Sequence, residues 1–144
     1  MGRAIIAFLP AVLGAYVLGS ILSTQVILQR IENLGLPITL RDRLGASWHD
    51  LLGMGTSYLP LMAVAFLLAL PAAAGLGRLL PRGKFLLYPL AGLVAVIALH
   101  LIMKAVLGLN GVASVRDLHG LLLQGLAGWM GGYLFYVFTG QAHR

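Results

Sequence analysis

Long apolar runs alternate with short polar breaks along this chain, and the runs define the expected elements. The first occupies about 4–28, behind Met1-Gly2-Arg3, and the others occupy about 58–76, 85–107 and 115–138. Each reaches roughly the 20 residues that an α-helix needs to cross a hydrocarbon core about 30 Å thick. The pattern predicts an all-α fold: a polytopic membrane four-helix bundle forming one domain over residues 1–144.

Between the first two runs the pattern changes period. Leu34-Gly35-Leu36-Pro37 should end the first helix. Leu40, Leu44, Trp48, Leu51 and Leu52 then fall on one side of a helix, with Arg41, Asp42, His49 and Asp50 largely on the other. An amphipathic helix over about 40–52 is expected, lying along the membrane interface in the first outer loop, with Gly53, Gly55 and Pro60 breaking it before the second span. Its start, Thr39-Leu40-Arg41-Asp42, has the spacing of a capping box, in which Thr39 and Asp42 each satisfy the other's backbone amide.

That start has an echo 75 positions later in Ser114-Val115-Arg116-Asp117, which reads as the opening of the fourth span. Gly45 and Gly120, Gly53 and Gly128, and Tyr58 and Tyr133 match at the same offset. Two hairpins related by an axis along the membrane normal would give such a pattern. Chance recurrence of abundant Gly and Leu would give it too, and Tyr58 opens its span whereas Tyr133 lies near the end of another. Gly108-Leu109-Asn110-Gly111 reads as a turn, and the tail Thr139-Gly140-Gln141-Ala142-His143-Arg144 is polar.

Composition settles the solvent. Of the 144 residues, 60% are hydrophobic and 10% charged, with a mean hydropathy of +0.94. A soluble domain carries about 25% charged residues, so a soluble domain is excluded. The first run resembles a signal peptide in its charged start and apolar core. It lacks a small-residue cleavage site ahead of a soluble domain, and an anchor is expected instead. There is no cysteine, which removes disulfides and thiol chemistry. The net charge of +6 comes from scattered Lys and Arg without aromatic interleaving, so no nucleic-acid partner is expected.

Orientation turns on the loops. Four spans place Arg3, Arg78, Arg82, Lys84 and Arg144 on one side, and Arg30, Arg41, Arg43, Lys104 and Arg116 on the other. The counts tie. The densely basic turn 77–84, free of acids, breaks the tie and puts both termini in the cytoplasm of a bacterial inner (plasma) membrane.

Candidate chemistry is sparse. Ala15, Gly19 and Ser23 repeat at four-residue spacing, and Gly125, Gly128 and Gly132 crowd the fourth span, Gly128 and Gly132 as a GxxxG pair. These are helix-packing signals that permit close backbone approach. His100 and Lys104 share a face of the third span, Gln25 and Gln29 share one on the first, and Gln124 lies on the fourth. Polar groups within spans favour the bundle interior or a watery cavity. These five are expected to line one outward-opening polar site, with Arg41 and Arg116 at its mouth to anchor an anionic head group. His49-Asp50 and Asp117-x-His119 are separate pairs, too poor a ligand set for a metal site.

No catalytic residue or cofactor motif emerges. The expectation is a non-enzymatic accessory or assembly subunit of a membrane complex, acting through helix contacts with a protein partner or further copies of itself. The alternative is a carrier or binder of a membrane lipid or other anionic amphiphile.

Overall fold

A computed structural model describes residues 2–108 and 113–140. These residues form five α-helices in chain order: α1 (Gly2–Asn33), α2 (Leu40–Gly53), α3 (Tyr58–Leu79), α4 (Lys84–Leu107) and α5 (Leu118–Gly140). Short 3₁₀ turns, Pro81–Gly83 and Ala113–Arg116, precede α4 and α5. All but α2 are long and apolar enough to cross a membrane. The all-helical fold with four candidate spans matches the sequence pattern. Met1, Gln141–Arg144 and the part of the Gly108–Gly111 turn beyond Gly108 lie outside the described residues.

The boundaries differ where polar chemistry overrides hydropathy. At 32 residues, α1 is about 48 Å long and exceeds a bilayer core of about 30 Å. Its extra turns carry Gln29, Arg30, Glu32 and Asn33, which stay helical because Arg30 and Glu32 find partners on other elements. The helix stops at Gly35, whose φ of 89° suits a residue without a side chain. Pro60 falls in the first turn of α3 rather than ahead of it, where its missing amide would have had no intrahelical partner.

The fourth span does not open at Ser114. Ser114 is fully buried in the 3₁₀ turn, where its hydroxyl accepts from Ser23 Oγ at 2.9 Å. Asp117 takes the capping position, its Oδ1 accepting from the Gly120 amide at 3.0 Å. A side chain on Gly120 would strike the Ser114 carbonyl, so this turn requires glycine. Thr39 by contrast caps α2 as expected: Asp42 N donates to Thr39 Oγ1 at 3.2 Å and Thr39 N donates to Asp42 Oδ2 at 2.9 Å. The two halves of the echo are therefore built differently, one opening a 14-residue helix and the other preceding a span.

α5 is the hub, packed between α1 and α4. Against α4, Gly92 and Gly128 are so close that a Cβ on either would overlap the other's carbonyl, and one on Gly132 would overlap that of Tyr88. Toward α1 and α3, a Cβ on Gly131 would lie 2.7 Å from both the Ala15 methyl and the Phe66 ring. Gly125 meets Ile97, and Gly19 meets Gln124 and Ala127. All the expected packing residues thus serve contacts within this one chain. Around them the core gathers Ala7, Ala11, Tyr16, Met62, Phe66, Leu70, Val96 and Phe135. The buried α3 residues repeat every four positions, Tyr58, Met62, Phe66, Leu70, as one helical stripe must.

α2 runs back antiparallel along α1. Arg43 reaches Glu32, Ser47 reaches Gln25, Asp50 reaches Thr24, and the Leu51 carbonyl accepts from the Tyr16 hydroxyl, so rising numbers on α2 meet falling numbers on α1. The polar edge of α2 faces the bundle. Leu40, Leu44, Trp48 and Leu52 point away from it, at 72%, 65%, 64% and 63% exposure. That inversion suits a helix whose outer surroundings are apolar.

Candidate functional site

The described cations and acids divide between the two ends of the bundle. One end carries Arg78, Arg82 and Lys84 in the turn between α3 and α4; the other carries all four acidic side chains, Glu32, Asp42, Asp50 and Asp117. The candidate site lies toward the acidic end. His100 is 16 residues along α4 from Lys84, about 24 Å at 1.5 Å per residue.

At that depth three helices contribute one buried polar chain. Gln124 of α5 is fully buried and donates from Nε2 to the Gly19 carbonyl of α1 at 2.9 Å. That bond fixes which way the amide points, leaving Oε1 to accept from the Tyr58 hydroxyl of α3 at 2.9 Å. Tyr58 Oη also lies 3.3 Å from His100 Nε2. His100 Nδ1 stands 2.8 Å from the Val96 carbonyl, which can only accept, so Nδ1 carries a proton. With His100 neutral, Nε2 is an acceptor, and the single Tyr58 proton lies between two acceptors. The shorter contact goes to Gln124, so the chain runs Tyr58 to Gln124 to Gly19. Burial of these groups is tolerable because each has a partner.

Beside this chain, His100, Lys104, Arg116 and Asp117 border a pocket of about 200 Å³. Leu101, Val115, Leu118 and Leu121 complete its lining, so charged and apolar side chains border the same space. Asp117 is already engaged: Arg30 Nη2 donates to its Oδ2 at 2.8 Å, and the same guanidinium donates to the Ala113 and Ser114 carbonyls. The Gly120 amide, together with Arg30, holds the Asp117 carboxyl below the usual carboxylate range. Among the described residues neither Lys104 nor Arg116 has a carboxylate partner. Two cations therefore border one small space whose one carboxylate, Asp117, is already paired with Arg30.

The expected site residues divide three ways. His100, Lys104 and Arg116 share the pocket, and Gln124 stands behind it through Tyr58. Gln25 turns to α2 instead: its Nε2 donates to Ser47 at 3.1 Å and its Oε1 accepts from Arg43 at 2.9 Å. Gln29 is exposed and lies 3.5 Å from Asn33 on its own helix, and Arg41 is exposed on α2. Neither borders the pocket. Along the same stretch of α1 one face meets α5 and another meets α2, and the i, i+4 pairing of the glutamines did not reveal which face they occupy.

Sequence reasoning missed Tyr58 as the connector and Arg30 as the clamp of the α5 start. Tyr58 carried a usable signal, because a phenol opening an apolar span must find a hydrogen-bond partner when buried. Arg30 carried none. Among the described residues no three His, Asp or Glu side chains gather closely enough to hold a metal ion. Comparison with protein-family models, with curated proteins and with solved structures finds no match to this chain.

Proposed function

We propose that this is a non-enzymatic integral membrane protein that binds an anionic amphiphile, its head group in the pocket bordered by Lys104 and Arg116 and its tail along the apolar part of the lining. The observation that carries this reading is the pocket's composition: two cations without a carboxylate partner in one lining with Leu101, Leu118 and Leu121. A charged group left unpaired near lipid is costly, and an incoming phosphate or carboxylate removes that cost through charge-assisted hydrogen bonds. His100 supports the site by packing against the Tyr58–Gln124 chain, which holds three helices at fixed spacing. The pocket opens to the side opposite the basic turn, which the positive-inside rule places in the cytoplasm, so the ligand enters from the outer leaflet of a bacterial inner membrane.

The test is a titration of the purified chain in non-ionic detergent with dodecyl phosphate, followed by the thermal midpoint. Wild type should gain stability as RT ln(1 + [L]/Kd) requires. Lys104→Met, which nearly keeps the side-chain volume, should weaken binding about tenfold or more, since a hydrogen bond to a charged group contributes about 1.5–3 kcal/mol. Equal affinity in wild type and variant would remove the pocket from the account.

One observation favours the second reading, an accessory subunit. The stripe Leu40, Leu44, Trp48, Leu52 on α2 faces away from its own bundle. Under that reading the stripe docks a partner helix at the interface. Leu44→Ser with Trp48→Ser would then release a partner that co-purifies in stoichiometric amount, with amphiphile binding intact.

A further inference from the structure

A second feature runs along the outside of the bundle and uses none of the residues that border the pocket at Lys104 and Arg116. The lipid-facing seam between α3 and α4 is a groove of about 650 Å³, lined only by Ala, Val, Leu and Ile. Its floor is kept low by alanines, among them Ala65, Ala69 and Ala72 on α3 and Ala91 and Ala98 on α4. The lining runs from Leu61 to Leu76 on α3 and from Leu87 to Ile102 on α4, about 22 Å of helix on each side.

The groove ends at a cationic cap. Leu76 and Leu87 are followed and preceded by the turn holding Arg78, Arg82 and Lys84, all exposed. The Lys84 stem lies across Gly77, where a Cβ would stand 3.2 Å from Lys84 Cγ, so glycine at 77 leaves room for that lysine. None of these three cations has a carboxylate partner among the described residues, because the chain's acidic side chains are all at the far end. The start of α4 also lacks a side-chain cap, and its first residue is Lys84, a cation that the helix dipole disfavours there. An all-apolar groove with three uncompensated cations in the turn beyond one end complements an apolar tail carrying an anion.

We infer that the α3–α4 groove holds one acyl chain of an anionic phospholipid, in the leaflet that contains the 77–84 turn, with the phosphate on Arg78, Arg82 and Lys84. This site is independent of the pocket at Lys104 and Arg116.

The experiment reconstitutes the full chain into nanodiscs of equimolar phosphatidylglycerol and phosphatidylcholine with identical acyl chains, and counts lipids retained on release by native mass spectrometry. With Lys104→Met and Arg116→Gln present, so that the outer-leaflet pocket of the proposed function is removed, the chain should still retain one phosphatidylglycerol, preferred about tenfold or more over phosphatidylcholine, as juxtamembrane cations predict. Adding Arg78→Gln, Arg82→Gln and Lys84→Gln should abolish the preference; these surface changes do not threaten the fold. Adding Ala69→Phe should block retention of both lipids. Equal retention of the two lipids by wild type would overturn the inference. So would a preference that follows Lys104 and Arg116 instead of the turn, or an Ala69→Phe variant that keeps its lipid but changes oligomeric state, which would put a second copy of the chain in the groove.

Discussion

Gly92→Ala and Gly75→Ala make the same chemical change in two helices and should have opposite effects. Both glycines are helical, and alanine there gains about 0.5–1 kcal/mol of helix propensity. At Gly75 nothing lies within 4 Å of the added methyl, so that gain is the whole effect and the variant should be slightly more stable. At Gly92 the new Cβ would overlap the Gly128 carbonyl, with Gly132 N at 3.1 Å beyond it. Backbone on both sides cannot rotate away as a side chain can, so α4 and α5 must part, by about 1 Å to reach an ordinary contact. A gap of 0.5–1 Å forfeits a quarter to a half of each dispersion contact along the seam, and overpacking of this kind costs about 1–3 kcal/mol. Subtracting the propensity gain leaves a net loss of up to about 2 kcal/mol, and because that gain is common to both variants they should differ by the overpacking cost, about 1–3 kcal/mol. Unfolding in mixed micelles by titration with sodium dodecyl sulfate, followed by far-ultraviolet circular dichroism, measures that spread. If Gly92→Ala proved as stable as Gly75→Ala, the α4–α5 backbones would not be in contact and the account of α5 as the hub would fail.

Three further outcomes are expected. Tyr58→Phe removes the proton that Gln124 Oε1 receives, leaving a buried acceptor unsatisfied at about 1–3 kcal/mol, measurable by the same titration; a neutral result would mean that water replaces the hydroxyl. The Asp117 carboxyl is depressed, chiefly by the Gly120 amide, so its contribution is present above the ordinary carboxylate value and lost as pH falls through the lower folded value. Wild type should therefore lose stability below about pH 4, and Asp117→Asn should flatten that part of the profile; an unchanged acid limb would dismiss the cap. Single cysteines at Asn33 and Arg82, both exposed, should react with an impermeant maleimide from opposite sides of the membrane, Asn33 from outside. Gly77 is unsuitable for this purpose because it is buried beneath Lys84.

The number of spans, their approximate limits and the presence of α2 follow from the sequence alone. Hydrocarbon accepts about 20 apolar residues per crossing whatever their neighbours, and the Thr39–Asp42 box is a contact between residues three apart. The glycines of α5 also announced close packing, since a helix that gives up side chains gains only by approach of another backbone.

Which face of each helix looks inward was beyond the pattern. In a soluble protein the polar stripe marks the outside, but here the core and the lipid are both apolar, so Leu93 and Val96 differ in surroundings without differing in kind. Tertiary contacts therefore decided that Gln25 serves α2 while Gln124 serves Tyr58 and Gly19, and that Ser114 is buried against Ser23 instead of capping α5. They also decided that Arg30, 87 positions from Asp117 in sequence, holds the start of the last span. Local spacing fixes a cap or a turn because the partners travel together. A pocket drawn from the end of α4, the start of α5 and the turn before it is fixed only by how those helices pack, and that packing depends on shape, glycine by glycine, more than on polarity.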